Sequence, residues 1–136
     1  MREILFRGKT NKTLINGVPH HTNKGAWVEG SLTVSYDGSI CTISGRQSVY
    51  TVHKETVGQF TGLNDKNDTR VFEGDVCVHF DKENYPRPLV VEWVEECACF
   101  SFVDVADYRK NYFFQKQDMD NIKVIGNIHD NKYLLK

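Results

Sequence analysis

The strictest constraint on this chain is a run of alternating side chains that ends in a tight turn. From Trp27 to Tyr36 apolar and polar residues alternate between two faces, and Asp37-Gly38 follows directly. A period of two is typical of a half-buried β-strand. Because aspartate and glycine tolerate positive φ, the pair favours a hairpin turn, and we expect the return strand at Ile40–Ser44. The sequence therefore predicts an antiparallel hairpin here.

Similar strand and turn signals recur along the rest of the chain. β-Branched and aromatic residues between polar turns are typical of strands. We expect further strands at Glu3–Arg7, Ser48–Phe60, Val76–Phe80, Leu89–Val94, Ala98–Val105 and Ile122–Ile128. Glu95-Glu96 separates two of these strands, so we expect a second hairpin there, whose inner row is Ala98, Phe100 and Phe102.

Helical signals are few. Ala106–Gln117 places aromatic residues about one turn apart, which predicts the only longer helix, although aromatic residues favour strands equally. Asp130 is a candidate N-cap for a short tail helix at Asn131–Leu135. Helix is therefore expected to contribute little to the fold.

Length and turn frequency together define the expected architecture. The 136 residues match the usual size of one domain, so we assign residues 1–136 to a single domain. Frequent turn signals and tight connections predict a mainly β fold, either all-β or α+β with little helix. We expect a small, strongly bent antiparallel β-barrel with a short C-terminal helix.

Composition narrows the class of function. Lys plus Arg number 17 and Asp plus Glu number 18, so the formal net charge is −1. Proteins that bind nucleic acid usually carry a basic surplus that neutralises phosphates, and this composition gives no support for one. No apolar run in the sequence reaches the length of a signal peptide core or a membrane span. We therefore expect a cytoplasmic protein whose four cysteines stay reduced.

The sequence offers no strong metal or catalytic motif. Cys97 and Cys99 point to one side of a predicted strand, and Cys77 and His79 share a face of another. A metal site would form only if the fold brought these two pairs together, which the sequence leaves open. Structural zinc usually needs two close cysteine pairs, and Cys41 is isolated. We therefore predict no metal, no cofactor, no catalytic residue and no enzymatic activity.

Aromatic residues exceed what strands and turns require. Exposed aromatic residues mark protein interfaces, and small β-barrels also use aromatic rings to stack the bases of single-stranded nucleic acid. Arg109 and Lys110 form the only adjacent basic pair in the chain, and they lie among such residues. The candidate interaction surface consists of Trp27, Trp93, Tyr108, Arg109, Lys110 and Tyr112.

Five blocks of the chain resemble, in the same order, the YopX family of phage and prophage proteins. They are Met1–Arg7, Trp27–Leu32, Glu55–Asn67, Val71–Val76 and Val124–Asn131. Two positions depart from the family pattern, because Asp68 stands where a glycine is usual and Lys54 stands where a proline is frequent. Since aspartate tolerates left-handed geometry, we expect the turn at Asp68 to survive.

The resemblance implies a mainly β phage or prophage accessory protein of unknown molecular function, and it carries over no catalytic, cofactor or metal residue. It gives Gly58, Gly62, Gly74 and Gly126 an architectural role as turns, bulges or close backbone contacts. We expect a non-enzymatic module that binds itself, a host protein or a phage protein. The alternative is a β-barrel that binds single-stranded nucleic acid.

Overall fold

The computed structural model describes residues 2–15, 18–20, 25–46 and 48–136. They form two compact units, Met1–Phe60 (unit 1) and Thr61–Lys136 (unit 2), and the boundary falls inside a strand. The fold is mainly β, with 47% of residues in strands and 11% in helical turns, which confirms the predicted fold class. The assignment of a single domain stays a prediction.

Four strands of unit 1 close into a small antiparallel barrel. The described strands of this unit are β1 (Phe6–Ile15), β2 (Val18–His20), β3 (Trp27–Val34), β4 (Cys41–Ser44), β5 (Val49–Val52) and the start of β6 (Gly58–Asn64). β1 pairs with both β3 and β5, and β4 pairs with the same two strands, so the ring is complete. β2 and β6 are additional partners of β1. The predicted barrel is therefore confirmed.

The barrel closes because β1 pairs with two different strands along its length. Its first part, up to Lys9, pairs with β3, and the part from Thr10 onward pairs with β5. The register shifts between Thr10 and Lys12, and a bulge of this kind bends a strand sharply. β1 is accordingly longer than the strand that the sequence predicted at Glu3–Arg7.

The barrel has a small core and a close contact between two of its strands. Cys41, Ile43 and Val52 are buried at its centre. A methyl group added at Gly30 would overlap the carbonyl oxygen of Ser44 and lie 2.8 Å from the carbonyl carbon. β3 and β4 therefore approach each other more closely than an alanine at residue 30 allows.

The β3–β4 hairpin confirms the first prediction from the sequence. Its turn contains Asp37 and Gly38, and Gly38 has a φ of 77°. The Ser35 N–H donates to the Ile40 carbonyl at 2.9 Å and closes the turn. The return strand begins at Cys41, one residue after the expected start.

Unit 2 is built on a five-stranded antiparallel sheet. After the end of β6 come β7 (Arg70–Phe72), β8 (Asp75–His79), β9 (Leu89–Val94), β10 (Cys99–Asp104), β11 (Asn111–Tyr112) and β12 (Ile122–Asn127). The order across the sheet is β11-β10-β9-β8-β12. The core of this unit consists of Val71, Cys77, Leu89, Val91, Phe102, Met119 and Ile122.

The predicted hairpin around Glu95-Glu96 is confirmed as β9–β10, with one correction. Ala98 lies in the turn rather than in the inner row, since its φ is 52° and it is exposed. Its N–H donates to the Glu95 carbonyl at 3.2 Å, which keeps it out of the strand. The inner row is therefore formed by Phe100 and Phe102, which pack on or within the core.

The described helices are three short 3₁₀ helices, Lys54–Thr56, Lys116–Asn121 and Lys132–Leu135. The helix predicted at Ala106–Gln117 is wrong, because this segment forms a turn, then β11, then the beginning of the second 3₁₀ helix. Side-chain hydrogen bonds to the turn and the pairing of β11 with β10 override the aromatic spacing. The predicted tail helix is one 3₁₀ turn, and Asn131, not Asp130, occupies its N-cap.

Candidate functional site

The most distinctive block of the sequence, Glu55–Asn67, ends in the turn between β6 and β7. Within it Asp65 is only 7% exposed. Its Oδ1 accepts the N–H groups of Asn67 and Thr69, each at 2.9 Å. Its Oδ2 accepts the N–H of Val124 on β12, also at 2.9 Å. This carboxylate therefore ties the turn to a strand that is distant in the sequence.

Left-handed residues shape the same region. Gly62, Asp68 and Gly74 have φ values of 88°, 63° and 92°. The φ of Asp68 explains why a glycine is usual there and confirms that aspartate can adopt the turn. In the closing block, a methyl group at Gly126 would lie 2.5 Å from the Asn131 Oδ1. The positive φ values of Gly62 and Gly74 and the close contact at Gly126 confirm the architectural role predicted for these three of the four glycines.

The structure distributes the six residues of the predicted interaction surface over both units. Trp27 belongs to unit 1, where the Arg7 guanidinium lies 4.8 Å from the centre of its ring. Trp93 belongs to unit 2 and packs edge-on against Phe100, with ring centres 5.0 Å apart. Trp93 and Phe100 lie near the turn of the β9–β10 hairpin. Leu89, at the other end of β9, pairs with Asp104 and is roughly 13 Å away along the strand.

Tyr112 packs into an aromatic cluster rather than standing free. Its ring lies 4.8 Å from that of Tyr85, which stacks on His79 at 4.2 Å. His79 is 7% exposed, and its Nδ1 accepts the Asp81 N–H at 3.0 Å. Burial lowers the pKa of His79, so the imidazole is neutral at neutral pH. The cluster extends the core of unit 2.

The remaining three predicted residues, Tyr108, Arg109 and Lys110, are exposed neighbours on the loop between β10 and β11. We call residues 106–110 the basic loop. Asp104 holds its start, because the Asp104 Oδ1 accepts the N–H groups of Ala106 at 2.8 Å and of Asp107 at 3.2 Å. The Lys110 N–H donates to the Asp107 carbonyl at 2.9 Å, which closes the loop.

Arg87 anchors this loop, and the sequence analysis missed it. Its Nε donates to both carboxylate oxygens of Asp104, at 2.8 and 3.0 Å. This partner lowers the pKa of Asp104, and the carboxylate in turn raises the pKa of Arg87. Arg87 and Asp104 are 17 residues apart and meet only because β9 and β10 pair in this register. No local sequence signal therefore indicates their ion pair.

Arg87 and part of the basic loop line an open surface concavity of about 460 Å³. It is lined by Arg87, Ala106, Asp107, Tyr108 and Arg109. The Arg109 Nε and Nη2 donate to the Asp107 carboxylate at 3.0 and 3.3 Å and lower the pKa of Asp107. Tyr108 is 82% exposed. Two guanidinium groups and an exposed aromatic ring therefore share one small surface.

A second exposed cluster lies in unit 1, at the β3–β4 turn. Val34, Tyr36 and Ile40 are 49%, 109% and 53% exposed, and we call these three side chains the hairpin tip. Turns favour glycine, proline and small polar residues. The apolar residues beside Asp37-Gly38 were therefore a signal in the sequence, and the predicted interaction surface contains none of the three.

Asp37 organises the turn beneath the hairpin tip. Its Oδ1 accepts the Ser39 N–H at 3.0 Å, the Ser35 hydroxyl at 2.8 Å and the Ser39 hydroxyl at 2.8 Å. These hydrogen bonds, led by the Ser39 backbone N–H, lower the pKa of Asp37 to about 2. The carboxylate is ionised at neutral pH, and its three hydrogen bonds stabilise the turn.

The cysteines are spread over the fold. Cys41 is in the barrel core of unit 1. Cys77 pairs with Leu89, while Cys99 pairs with Val94, which places these two cysteines at positions roughly 17 Å apart along β9. In the part of the chain that the structure describes, no three His, Cys, Asp or Glu side chains converge in a way that could hold a metal ion.

The fold and its surfaces define a mainly β protein that presents a hairpin tip and a basic concavity. A family model described as YopX protein matches residues 9–136, and the chain therefore belongs to the YopX family. The match covers four of the five sequence blocks that resemble the family, and the block Met1–Arg7 lies before its first residue. Comparison with curated proteins gives no match.

Among solved structures, this chain is similar to the crystal structure of protein EF1440 from Enterococcus faecalis. The sequences are 20% identical, the TM-score is 0.57, and the match covers 100% of both chains. At this identity the similarity shows a shared fold. None of the helices formed by the described residues is long and apolar enough to cross a membrane.

Proposed function

We propose that this protein is a non-enzymatic module that binds another protein through the hairpin tip. The observation that carries the proposal is the joint exposure of Val34, Tyr36 and Ile40 at a single turn. Single exposed apolar residues are common on protein surfaces, whereas grouped ones mark interaction sites. Tyrosine is also among the residues that dominate binding energy at interfaces.

The rigidity of the turn adds support. A loop that is already ordered loses less conformational entropy on binding than a flexible one. Asp37 holds the turn through three hydrogen bonds, and Gly38 adopts the positive φ that the turn requires. A partner with a complementary groove would therefore receive the three side chains of the hairpin tip at a small entropic cost.

The perturbed carboxylates fit a binding role better than a catalytic one. Asp37, Asp104 and Asp107 have lowered pKa values, and in each case the main cause is a hydrogen-bond donor within a turn or ion pair. A general acid or base works best when its pKa lies near the working pH. These three groups stay ionised instead, so the proposal assigns no catalytic residue.

The family resemblance supports the setting that we propose for this function. The sequence blocks resemble phage and prophage proteins, so we place the protein in the cytoplasm of a bacterial host as an accessory protein. The partner is a host protein, a phage protein or a second copy of this chain. The alternative role, binding of single-stranded nucleic acid, draws its support from a different surface, the basic loop of unit 2.

A pull-down with matched variants tests the proposal. The baits are the tagged wild-type protein, the Tyr36→Ser variant and a Tyr133→Ser control. Tyr133 is 68% exposed but belongs to the tail of unit 2, so the control also loses one exposed tyrosine ring. Each bait is incubated with nuclease-treated lysate of phage-infected cells, and retained proteins are identified by mass spectrometry.

We expect a protein that the wild type and the control retain and that Tyr36→Ser retains at least roughly tenfold less, because a tyrosine at a binding hot spot contributes about 2 kcal/mol or more. Sedimentation of the three purified proteins shows whether that partner is a second copy. Equal retention of every protein by the wild type and Tyr36→Ser, together with identical sedimentation, would contradict the proposal.

A further inference from the structure

We propose that the concavity between Arg87 and the basic loop binds a nucleotide, with its phosphate on the guanidinium groups and its base on Tyr108. This site belongs to unit 2, whereas the hairpin tip belongs to unit 1. The inference therefore goes beyond the protein-binding role and stands or falls separately from it.

The Arg87 guanidinium is prepared for an anion. Its Nε is held by Asp104, whose side chain is 3% exposed, while the Arg87 side chain is 40% exposed. Its Nη1 and Nη2 groups have no hydrogen-bond partner among the residues that the structure describes. A planar guanidinium held at its Nε can offer its Nη1 and Nη2 groups to two phosphate oxygens in a bidentate geometry.

Arg109 adds a second guanidinium to the same concavity. Asp107 occupies its Nε and Nη2, and its Nη1 has no partner in the described part of the chain. The two aspartates Asp104 and Asp107 balance the two arginines, and Lys110, which belongs to the basic loop but does not line the concavity, adds one positive charge nearby in the sequence. That charge suits a single phosphate group better than a densely charged duplex, which requires many cationic contacts.

Tyr108 makes an aromatic ligand the best match. Its ring is 82% exposed and lines the concavity beside both arginines. Nucleic-acid bases stack on exposed aromatic rings without regard to sequence. The volume of about 460 Å³ lies within the range of sites that bind one small molecule.

The test titrates the full-length protein at low salt with three probes. They are a short fluorescently labelled oligothymidylate, thymidine monophosphate and inorganic phosphate. The variants are Tyr108→Ala and Arg109→Gln, at exposed positions whose substitution preserves the fold, and Lys82→Gln as the control. Lys82 is an exposed cation of the same unit that does not line the concavity.

We expect the wild type to bind a nucleotide probe, Tyr108→Ala to weaken that binding roughly 5- to 150-fold, and the control to leave it unchanged. Arg109→Gln also weakens binding and reduces its dependence on salt. Preference for the oligonucleotide identifies a strand as the ligand, and equal affinities identify a free nucleotide, so both results support the proposal.

Two results would overturn the proposal. The first is the absence of nucleotide binding at low salt. The second is binding of inorganic phosphate as tight as that of the nucleotides, with Tyr108→Ala indistinguishable from the wild type. We expect Tyr36→Ser to leave nucleotide binding unchanged. Failure of the nucleotide proposal can therefore be distinguished from failure of the protein-binding role.

Discussion

Asp65 is expected to be the single most important polar side chain for the stability of unit 2. Asp65→Ala removes the acceptor of three backbone N–H groups. A hydrogen bond to a charged group contributes about 1.5–3 kcal/mol. Because Asn67 and Thr69 are exposed and Val124 is only half-buried, their amides regain water, and we assign the lower value to each of the three bonds. The expected loss in the free energy of unfolding is roughly 4–5 kcal/mol, against a total of about 5–15 kcal/mol for a typical domain.

Asp65→Asn provides an isosteric comparison. The amide keeps one oxygen for the turn, but its NH₂ group then faces the N–H of Val124. One hydrogen bond is lost and two donors meet, so we expect a loss of roughly 1.5–3 kcal/mol. Asp120→Asn, at an exposed position in the Lys116–Asn121 helix, is the matched control, with an effect within about 0.5 kcal/mol.

The assay is urea denaturation followed by tryptophan fluorescence. The chain has two tryptophans, Trp27 in unit 1 and Trp93 in unit 2. In a Trp27→Phe background the signal reports unit 2, and the midpoints and slopes give the change in unfolding free energy. If Asp65→Ala and Asp65→Asn both fall within about 0.5 kcal/mol of the control, the assignment of Asp65 as the link between turn and β12 is refuted.

Three further substitutions test other features. We expect Gly30→Ala to destabilise the barrel by about 3 kcal/mol through overpacking. Gly45→Ala is the control in thermal melts, because its added methyl group would lie 3.5 Å from its nearest neighbour. Equal melting temperatures of the two variants would contradict the overpacking at Gly30. Asp68→Gly should exceed Asp68→Ala in stability by about 1 kcal/mol, since φ is 63°, and equal urea midpoints would argue against strain. The Arg87 hydrogen bond lowers the pKa of Asp104 below 3.8, so the Arg87–Asp104 pair stabilises the fold fully above that pH, and this stabilisation is lost as the pH falls through the folded pKa. We expect Asp104→Asn to make the urea midpoint less sensitive to acid. An unchanged acid dependence would exclude the Arg87–Asp104 pair as its source.

The two hairpins could be predicted because their signals are local. Alternation before Asp37-Gly38 and the polar pair Glu95-Glu96 each specify a turn and its flanking strands within a few residues. Closure of the barrel could not be predicted in the same way. It depends on the shift in β1 between Thr10 and Lys12 and on pairings with strands far along the chain.

The candidate surfaces show the same limit. Tyr108, Arg109 and Lys110 were predicted together because they are neighbours in sequence, whereas Arg87 joins them only through Asp104 on another strand. The hairpin tip was missed for a related reason. Alternation placed Val34 and Tyr36 on the same face as Val28, but β3 ends at Val34, and both side chains are exposed.

A site-specific cross-link at the hairpin tip tests the protein-binding claim most directly. Tyr36 is replaced by p-benzoylphenylalanine, the same replacement at Tyr133 is the control, and host cells are irradiated during phage infection. The account predicts one or a few discrete cross-linked proteins from position 36 that are absent from position 133. No cross-linked protein at position 36, or the same set at both positions, would contradict it.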